Sequence, residues 1–218
     1  MRPAEHCQLQ RELNALYRDR LKLKVHALAC GAHGAEGMWF KKPVNTPVEL
    51  KALRLRTVGI SHVLAEKLGM KPNAIYEPAK TIEALEGGAL DATEFGQPWY
   101  DEGLRFHRVA RHFYYPGWHA PAYMWQLEIN LDRWNEMSQA QKGLIGEACR
   151  QNIAQAVGEY AANAKGALDR IKARKVQVHT FSKDILDAVR SARDGLIQEF
   201  SAKDPDFKRA WESYSSFR

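Results

Sequence analysis

The 218-residue chain carries only three cysteines, Cys7, Cys30 and Cys149. They are odd in number and widely separated, so they offer no metal-ligand spacing and do not make a disulfide framework. Cys30 follows the apolar stretch VHALA and is expected to be buried and inert, not a nucleophile paired with His33. Cysteine usage therefore leaves the compartment open. Long apolar runs are also missing: none approaches the roughly 20 residues that span a bilayer, which excludes direct membrane insertion. The first 24 residues, MRPAEHCQLQRELNALYRDRLKLK, have no apolar core of the secretory type, so no leader is expected in the sequence as it stands. Catalytic signatures are lacking as well. There is no HExxH, no GxSxG elbow, no Walker loop and no GxGxxG opening a helix after a strand. The run CGAHGAEG at 30–37 has small residues but no Gly-Lys-Ser/Thr. The eight histidines form no ligand pair, and a lone histidine is read as a structural or surface residue. No set of residues adds up to an enzyme.

What is present is an ordinary globular composition, 45% apolar and 27% charged with a net charge of +6. The length allows one large domain or two small lobes. The basic residues are dispersed, and the densest cluster, RIKARK at 170–175, falls at a helix C-terminus where cations complement the helix dipole. Without a recognition motif, nucleic-acid binding is not expected.

Short strands and helices alternate along the chain. Thr46-Pro47 opens a short helix. Residues 53–58 alternate like a strand, and Ser61 is read as the cap of a helix ending at Gly69. A turn at Pro72-Asn73 is expected to lead into a strand at 74–76. The helix TIEAL stops at Gly87-Gly88. Residues 111–131 are strand-like and aromatic, broken by Pro116-Gly117 and Pro121. From Ser138 a helical period continues for about 35 residues, a rod on the order of 50 Å. Residues 175–181 read as a strand, Ser182 as a helix cap, and Asp204-Pro205 as the break before a final helix ending at Phe217. The pattern predicts an α/β fold with a largely parallel sheet.

Within it, GALDATEFGQPWYDEG at 88–103 raises a specific question. A short extended segment ends on Glu94, followed by a Gly/Pro loop with aromatics that fits no regular element. Glu94 either caps the loop or pairs with a nearby cation, or else it serves a small-molecule site of the strand-end kind.

Three blocks, ACGAHGAEGMWFKKPVNTPVELKALRLRTVG, EALEGGALDATEFGQPWYDEGL and HFYYPGWHAPAYMWQLEINLDRW, resemble in order and spacing the solute-binding proteins of tripartite ATP-independent periplasmic (TRAP) transporters, in the branch that binds 2-oxo acids and related carboxylates. The resemblance implies a periplasmic-binding-protein-like α/β fold of two lobes that close on the ligand, with a long helix across both. It implies that residues 1–29 are a remnant of the first lobe or hinge and that residues 30–218 are the C-terminal portion, most of the first lobe being missing. The function implied is capture of a small 2-oxo or 2-hydroxy carboxylate in the periplasm, in partnership with TRAP membrane subunits. In that frame Glu94 and the Phe95 backbone carbonyl are metal ligands for a sodium or calcium ion bridging to the ligand, since hard oxygen donors suit such ions. Arg56 grips the ligand carboxylate with its planar fork. Glu36 stands where the branch has a glutamine serving both metal and ligand, and Trp118 lines the pocket. Ala120 departs from the acidic or amide residue of the branch, and Phe95 from its tryptophan. The alternative is a truncated, non-transporting remnant acting as a cytoplasmic carboxylate-sensing or interaction module.

Overall fold

A computed structural model describes residues 3–216, with side chains from residue 10 onward. Cys7, Phe217 and Arg218 therefore lie outside the described side chains. In chain order the elements are α1 (Pro3–Asp19), β1 (Val25–His33), β2 (Met38–Phe40), α2 (Pro47–Leu50), β3 (Arg54–Arg56), α3 (Ile60–Lys67), β4 (Lys71–Asn73), α4 (Pro78–Glu86), β5 (Ala92–Glu94) and α5 (Pro98–Leu104). A 3-10 turn (Phe106–Arg108) comes next, then β6 (His112–Tyr114), β7 (Tyr123–Asn130), α6 (Leu131–Glu136), α7 (Gln139–Ala173), β8 (Gln177–His179), α8 (Lys183–Lys203) and α9 (Pro205–Ser215). The chain divides into two compact units. One holds the described residues up to His33, 124–158 and from Ile197 on; the other holds 34–123 and 159–196. The long helix α7 supplies residues to both.

The second unit is built on a six-stranded sheet of order β4-β3-β5-β2-β6-β8. Strand β3 is parallel to β4 and β5, and β6 is parallel to β8. Strand β2 runs against both of its neighbours, β5 and β6, so five strands run one way, the largely parallel sheet expected, and the central β2 alone is reversed. The reason is local. The chain crosses the middle of the sheet once in β2, too short a segment for any periodicity to reveal its direction. Side chains alternate across a strand, and β2 shows what that does: Met38 and Phe40 enter one core, with Leu55, Ala92, Tyr114, Ile185 and Val189, while Trp39 enters the other, with Leu85, Leu90, Phe106, Phe113 and Ile171. All three residues of β2 are buried, as a strand covered on both faces requires. Helices therefore pack on both faces of the sheet, α3 and α8 on one, α4 and the C-terminal part of α7 on the other.

Most boundaries follow from capping chemistry. Thr46 and Glu49 form a reciprocal capping box at α2, with Pro47 in its first turn. Ser138 and Gln141 exchange backbone and side-chain hydrogen bonds at 3.2 and 2.8 Å ahead of α7. Ser182 Oγ accepts from Ile185 N at 3.3 Å to start α8, and Asp204 accepts from Asp206 N and Phe207 N to start α9.

Three local expectations are corrected. Helix α3 is not capped by Ser61: Gly59 sits at the N-cap position with φ 62°, a left-handed conformation that favours glycine, and no side chain caps the helix. The strand expected at 74–76 lies at 71–73 instead. Pro72 is accommodated there because β4 is the sheet edge, where a missing N–H costs nothing. Of residues 95–100, read as fitting no regular element, 98–100 begin α5, with Pro98 in its first turn.

The first unit contains the two-stranded sheet β1-β7. Helix α1 is tied to β1 by Asn14, whose side chain donates to Ala27 O at 2.8 Å and accepts from Ala27 N at 2.7 Å. Arg20 pairs with Asp204 and Asp206 at the start of α9. The cysteines bring the main correction here: Cys30 on β1 and Cys149 on α7 are joined by a disulfide across 119 residues of sequence. Cys30 is not a free thiol. No span of sequence that long signals a pairing, and the third cysteine hides the even count that would.

Candidate functional site

Strands β3, β5 and β6 all point the same way, and their C-terminal ends share one edge of the sheet with the start of β2. Open α/β sheets present ligand sites at such edges. Arg56 ends β3, Glu94 ends β5, Glu36 lies two residues before β2, and the loop after β6 carries Trp118 and His119. The Met38↔Glu94 register brings the stretch before β2 alongside the end of β5.

Glu94 is 4% exposed and Arg56 5% exposed. A buried carboxylate of this kind needs partners, and Glu94 has them. Arg56 Nη1 lies 3.1 Å from its Oε1, and Val58 N donates to the same oxygen at 3.2 Å. Arg56 is itself fixed: Nε donates to Ile75 O at 2.6 Å and Nη1 to Glu94 O at 2.7 Å, and the guanidinium carbon sits 4.3 Å over the Phe95 ring, a cation–π position. Nη2 hydrogen-bonds to none of the described residues. The bidentate fork expected of Arg56 is thus partly engaged within the protein.

The second carboxylate arrives from the loop before β2. Glu36 N donates to Ala120 O at 3.0 Å, and Gly117 N donates to Glu36 O at 2.7 Å, so the two loops clamp each other. Tyr160 on α7 donates to Ala35 O at 2.9 Å and shares a hydrogen bond with Tyr115. The His119 ring lies between the two glutamates. Its Nε2 is 3.2 Å from Glu36 Oε2 and 3.7 Å from Glu94 Oε2, and its side chain is only 3% exposed. Gly117 makes that position available. A Cβ there would come within 2.7 Å of the imidazole Nδ1 and Cε1, so any side chain would displace the ring. His119 Nδ1 is buried and has no hydrogen-bond partner among the described residues.

One further acid borders the cluster. Asp101 on α5 is fully buried and accepts a hydrogen bond from Trp39 Nε1 at 2.8 Å. Burial pushes its carboxyl well above the ordinary range; the Trp39 N–H opposes that rise, and the negative charges of Glu36 and Glu94 add to it.

The structure thus brings Arg56, Glu36, Glu94 and Phe95 together, four of the residues the sequence nominates. Trp118 adjoins them: it packs on the core containing Met38 and Tyr114, its ring edge-on to His119, and its Nε1 is buried without a partner among the described residues. Ala120 offers no side-chain donor, and its carbonyl is occupied by Glu36 N. His119 and Asp101 were missed. A single histidine carries no spacing signal, and Asp101 directly follows a stretch read as fitting no regular element; the glycine two residues before His119 was the available clue for the first. The basic cluster at 170–175 has a structural task here, since Arg170 Nε and Arg174 Nη1 hold Glu102 at 2.9 and 2.6 Å.

The donor chemistry suits a cation. One ligating atom from each of Glu36, Glu94 and His119 lies within 4.8 Å of the other two, and a buried and a partly buried carboxylate this close repel each other unless a positive charge intervenes.

The carboxyl edge of an open α/β sheet, where this acid–base–guanidinium cluster lies, is where such folds place small-molecule sites. Residues 4–204 match the bacterial extracellular solute-binding proteins of family 7, DctP, and the chain belongs to that family, whose members are TRAP solute-binding proteins, not enzymes. The match takes in most of the N-terminal 29 residues as well as the three blocks. A monocarboxylate 2-oxoacid-binding periplasmic protein of Nostoc sp. is 29% identical over 207 residues, 94% of this chain and 57% of that protein. A TRAP transporter solute-binding protein of Bordetella bronchiseptica, crystallised with calcium and picolinate, is 31% identical with a TM-score of 0.89, over 95% of this chain and 61% of its own. One from Pseudoalteromonas atlantica, with sodium and pyruvate bound, is 25% identical with a TM-score of 0.86, over 95% and 63%. The chain therefore spans about three fifths of the length of these relatives. These are two-lobed α/β proteins, and the 35-residue α7 fits the long helix of that fold.

Proposed function

We propose that the chain is a solute-binding component of a TRAP transporter that captures a small 2-oxo or 2-hydroxy carboxylate together with a cation. The observation that carries this reading is the cluster at the strand ends, where the buried Arg56–Glu94 pair lies next to a second carboxylate, Glu36. Arg56 Nη2 is the donor offered to the ligand carboxylate. Glu36 and Glu94 hold the cation, with the Phe95 carbonyl as the further oxygen, and a bound cation supplies the positive charge that lets an organic anion approach two glutamates. The aromatic rings of Phe95 and Trp118 form the wall of the site. The relatives' ligands, a 2-oxo acid, picolinate and pyruvate, have the carboxylate-plus-neighbouring-donor chemistry that such a site would take.

The periplasm is the compartment that fits, and the Cys30–Cys149 disulfide supports it, because such bonds persist in oxidising surroundings. The same bond speaks against a cytoplasmic sensing module. TRAP membrane subunits are the partners implied by the family. Calorimetric titration of pyruvate tests the assignment of Arg56. Arg56→Lys keeps the charge but loses the planar donors to Ile75 O and Glu94 O, and affinity should fall at least tenfold, about 1.4 kcal/mol or more. An unchanged dissociation constant would remove Arg56 from the site.

A further inference from the structure

We propose that the cation site of this chain binds a divalent first-row transition ion of the zinc or cobalt type more tightly than calcium or sodium, with His119 Nε2 as its nitrogen ligand. The inference rests on the proposed function, in which a cation occupies the Glu36–Glu94 pair.

The donor set carries it. Calcium and sodium take oxygen ligands, whereas imidazole suits zinc, cobalt, nickel and iron. Here one of the three converging side-chain donors is an imidazole nitrogen. The spacing also fits. Metal–ligand bonds of about 2.1 Å place neighbouring donors about 3.0 Å apart in an octahedron and about 3.4 Å apart in a tetrahedron. His119 Nε2 lies 3.2 Å from Glu36 Oε2 and 3.7 Å from Glu94 Oε2, so small side-chain adjustments suffice. One imidazole and two carboxylates leave positions open for a ligand carboxylate and its 2-oxygen, which a transition ion would chelate.

Apart from the two glutamates, the imidazole has no hydrogen-bond partner among the described residues. Its ring rests on Gly117, where a Cβ would strike it. Its side chain is almost wholly buried, and Nδ1 reaches no acceptor among the described residues. A histidine buried for packing alone would be better replaced by an apolar residue, since one ring nitrogen is left unsatisfied. Binding through Nε2 gives the ring a strong interaction that offsets that cost. Glu94 keeps Arg56 and Val58 N on Oε1, which leaves Oε2, the oxygen nearer His119, to face the ion.

The test uses the 218-residue chain stripped with a chelator and titrated at pH 7.5 with calcium, zinc or cobalt alone. Zinc or cobalt should bind at least tenfold more tightly than calcium, and the cobalt form should show the visible absorption of nitrogen ligation. His119→Gln should erase most of the preference while calcium affinity stays within about threefold. Glu36→Gln, which keeps an oxygen donor, provides a second variant: it should weaken every ion but leave the order intact. Calcium binding as tightly as zinc, or a preference untouched by His119→Gln in a folded variant, would overturn the proposal. The two readings fail separately. Calcium binding as tightly as zinc, with pyruvate binding intact, sinks the transition-ion inference and spares the carboxylate function; tight zinc binding with no pyruvate affinity does the reverse.

Discussion

Arg56 and Glu94 show how a residue's surroundings decide its role. Each alone reads as a strand-end surface charge. Together they are an ion pair with side chains 5% and 6% exposed, and removing one partner of such a pair leaves an uncompensated buried charge, a loss of about 3–5 kcal/mol. They were legible because LRLRTVG and LDATEF sit inside ordered blocks of family sequence. His119 was not, because nothing in PGWHAP says whether the ring points inward. Asp101 belongs to the same scale and makes a pH prediction. Its carboxyl is pushed well up by burial, so between the ordinary carboxylate pKa, about 4, and its higher folded value the folded chain holds a proton that the unfolded chain has lost. Stability therefore falls as pH rises through that window. Asp101→Asn keeps an acceptor for Trp39 Nε1 and removes the titration. The variant should be more stable than the parent at pH 7 in denaturant unfolding, with the difference closing as pH falls towards 4. A difference constant from pH 4 to 7 would show that Asp101 is not held protonated.

Among the elements, helices were legible wherever capping chemistry declared them: the Thr46–Glu49 box, Ser138, Ser182 and Asp204 all fall at helix starts. Elements were misread where tertiary context overrode local signals. Strand β4 contains a proline that only an edge position tolerates, α5 begins at a proline inside a Gly-rich run, and the reversed β2 is three residues long. The disulfide is likewise invisible in sequence, because Cys30 and Cys149 meet only once β1 packs on α7. Asn152 on the next turn of α7 donates to Cys30 O at 2.6 Å and fixes the same contact. Closing a loop of this length stabilises by about 2–5 kcal/mol. Reduction, or Cys30→Ala, should lower unfolding stability by that order, and the variant should be insensitive to reductant. Equal stability of the parent in oxidised and reduced form would show that the bond adds nothing to the fold.

At the scale of the whole molecule, an α/β chain with a 35-residue helix was legible, since periodicity and family blocks speak over tens of residues. Where the chain divides between its two compact units was not, because each unit is assembled from segments far apart in sequence and no linker marks the crossings. The central claim is that this assembly captures a small carboxylate together with a cation. Its most direct test is calorimetric titration of pyruvate into chelator-stripped chain and into the same chain with a divalent cation restored. The account predicts saturable binding with the cation present and none, or at least tenfold weaker binding, without it. The same dissociation constant in both preparations would contradict it, and would reduce Glu94 to a strand-end partner of Arg56.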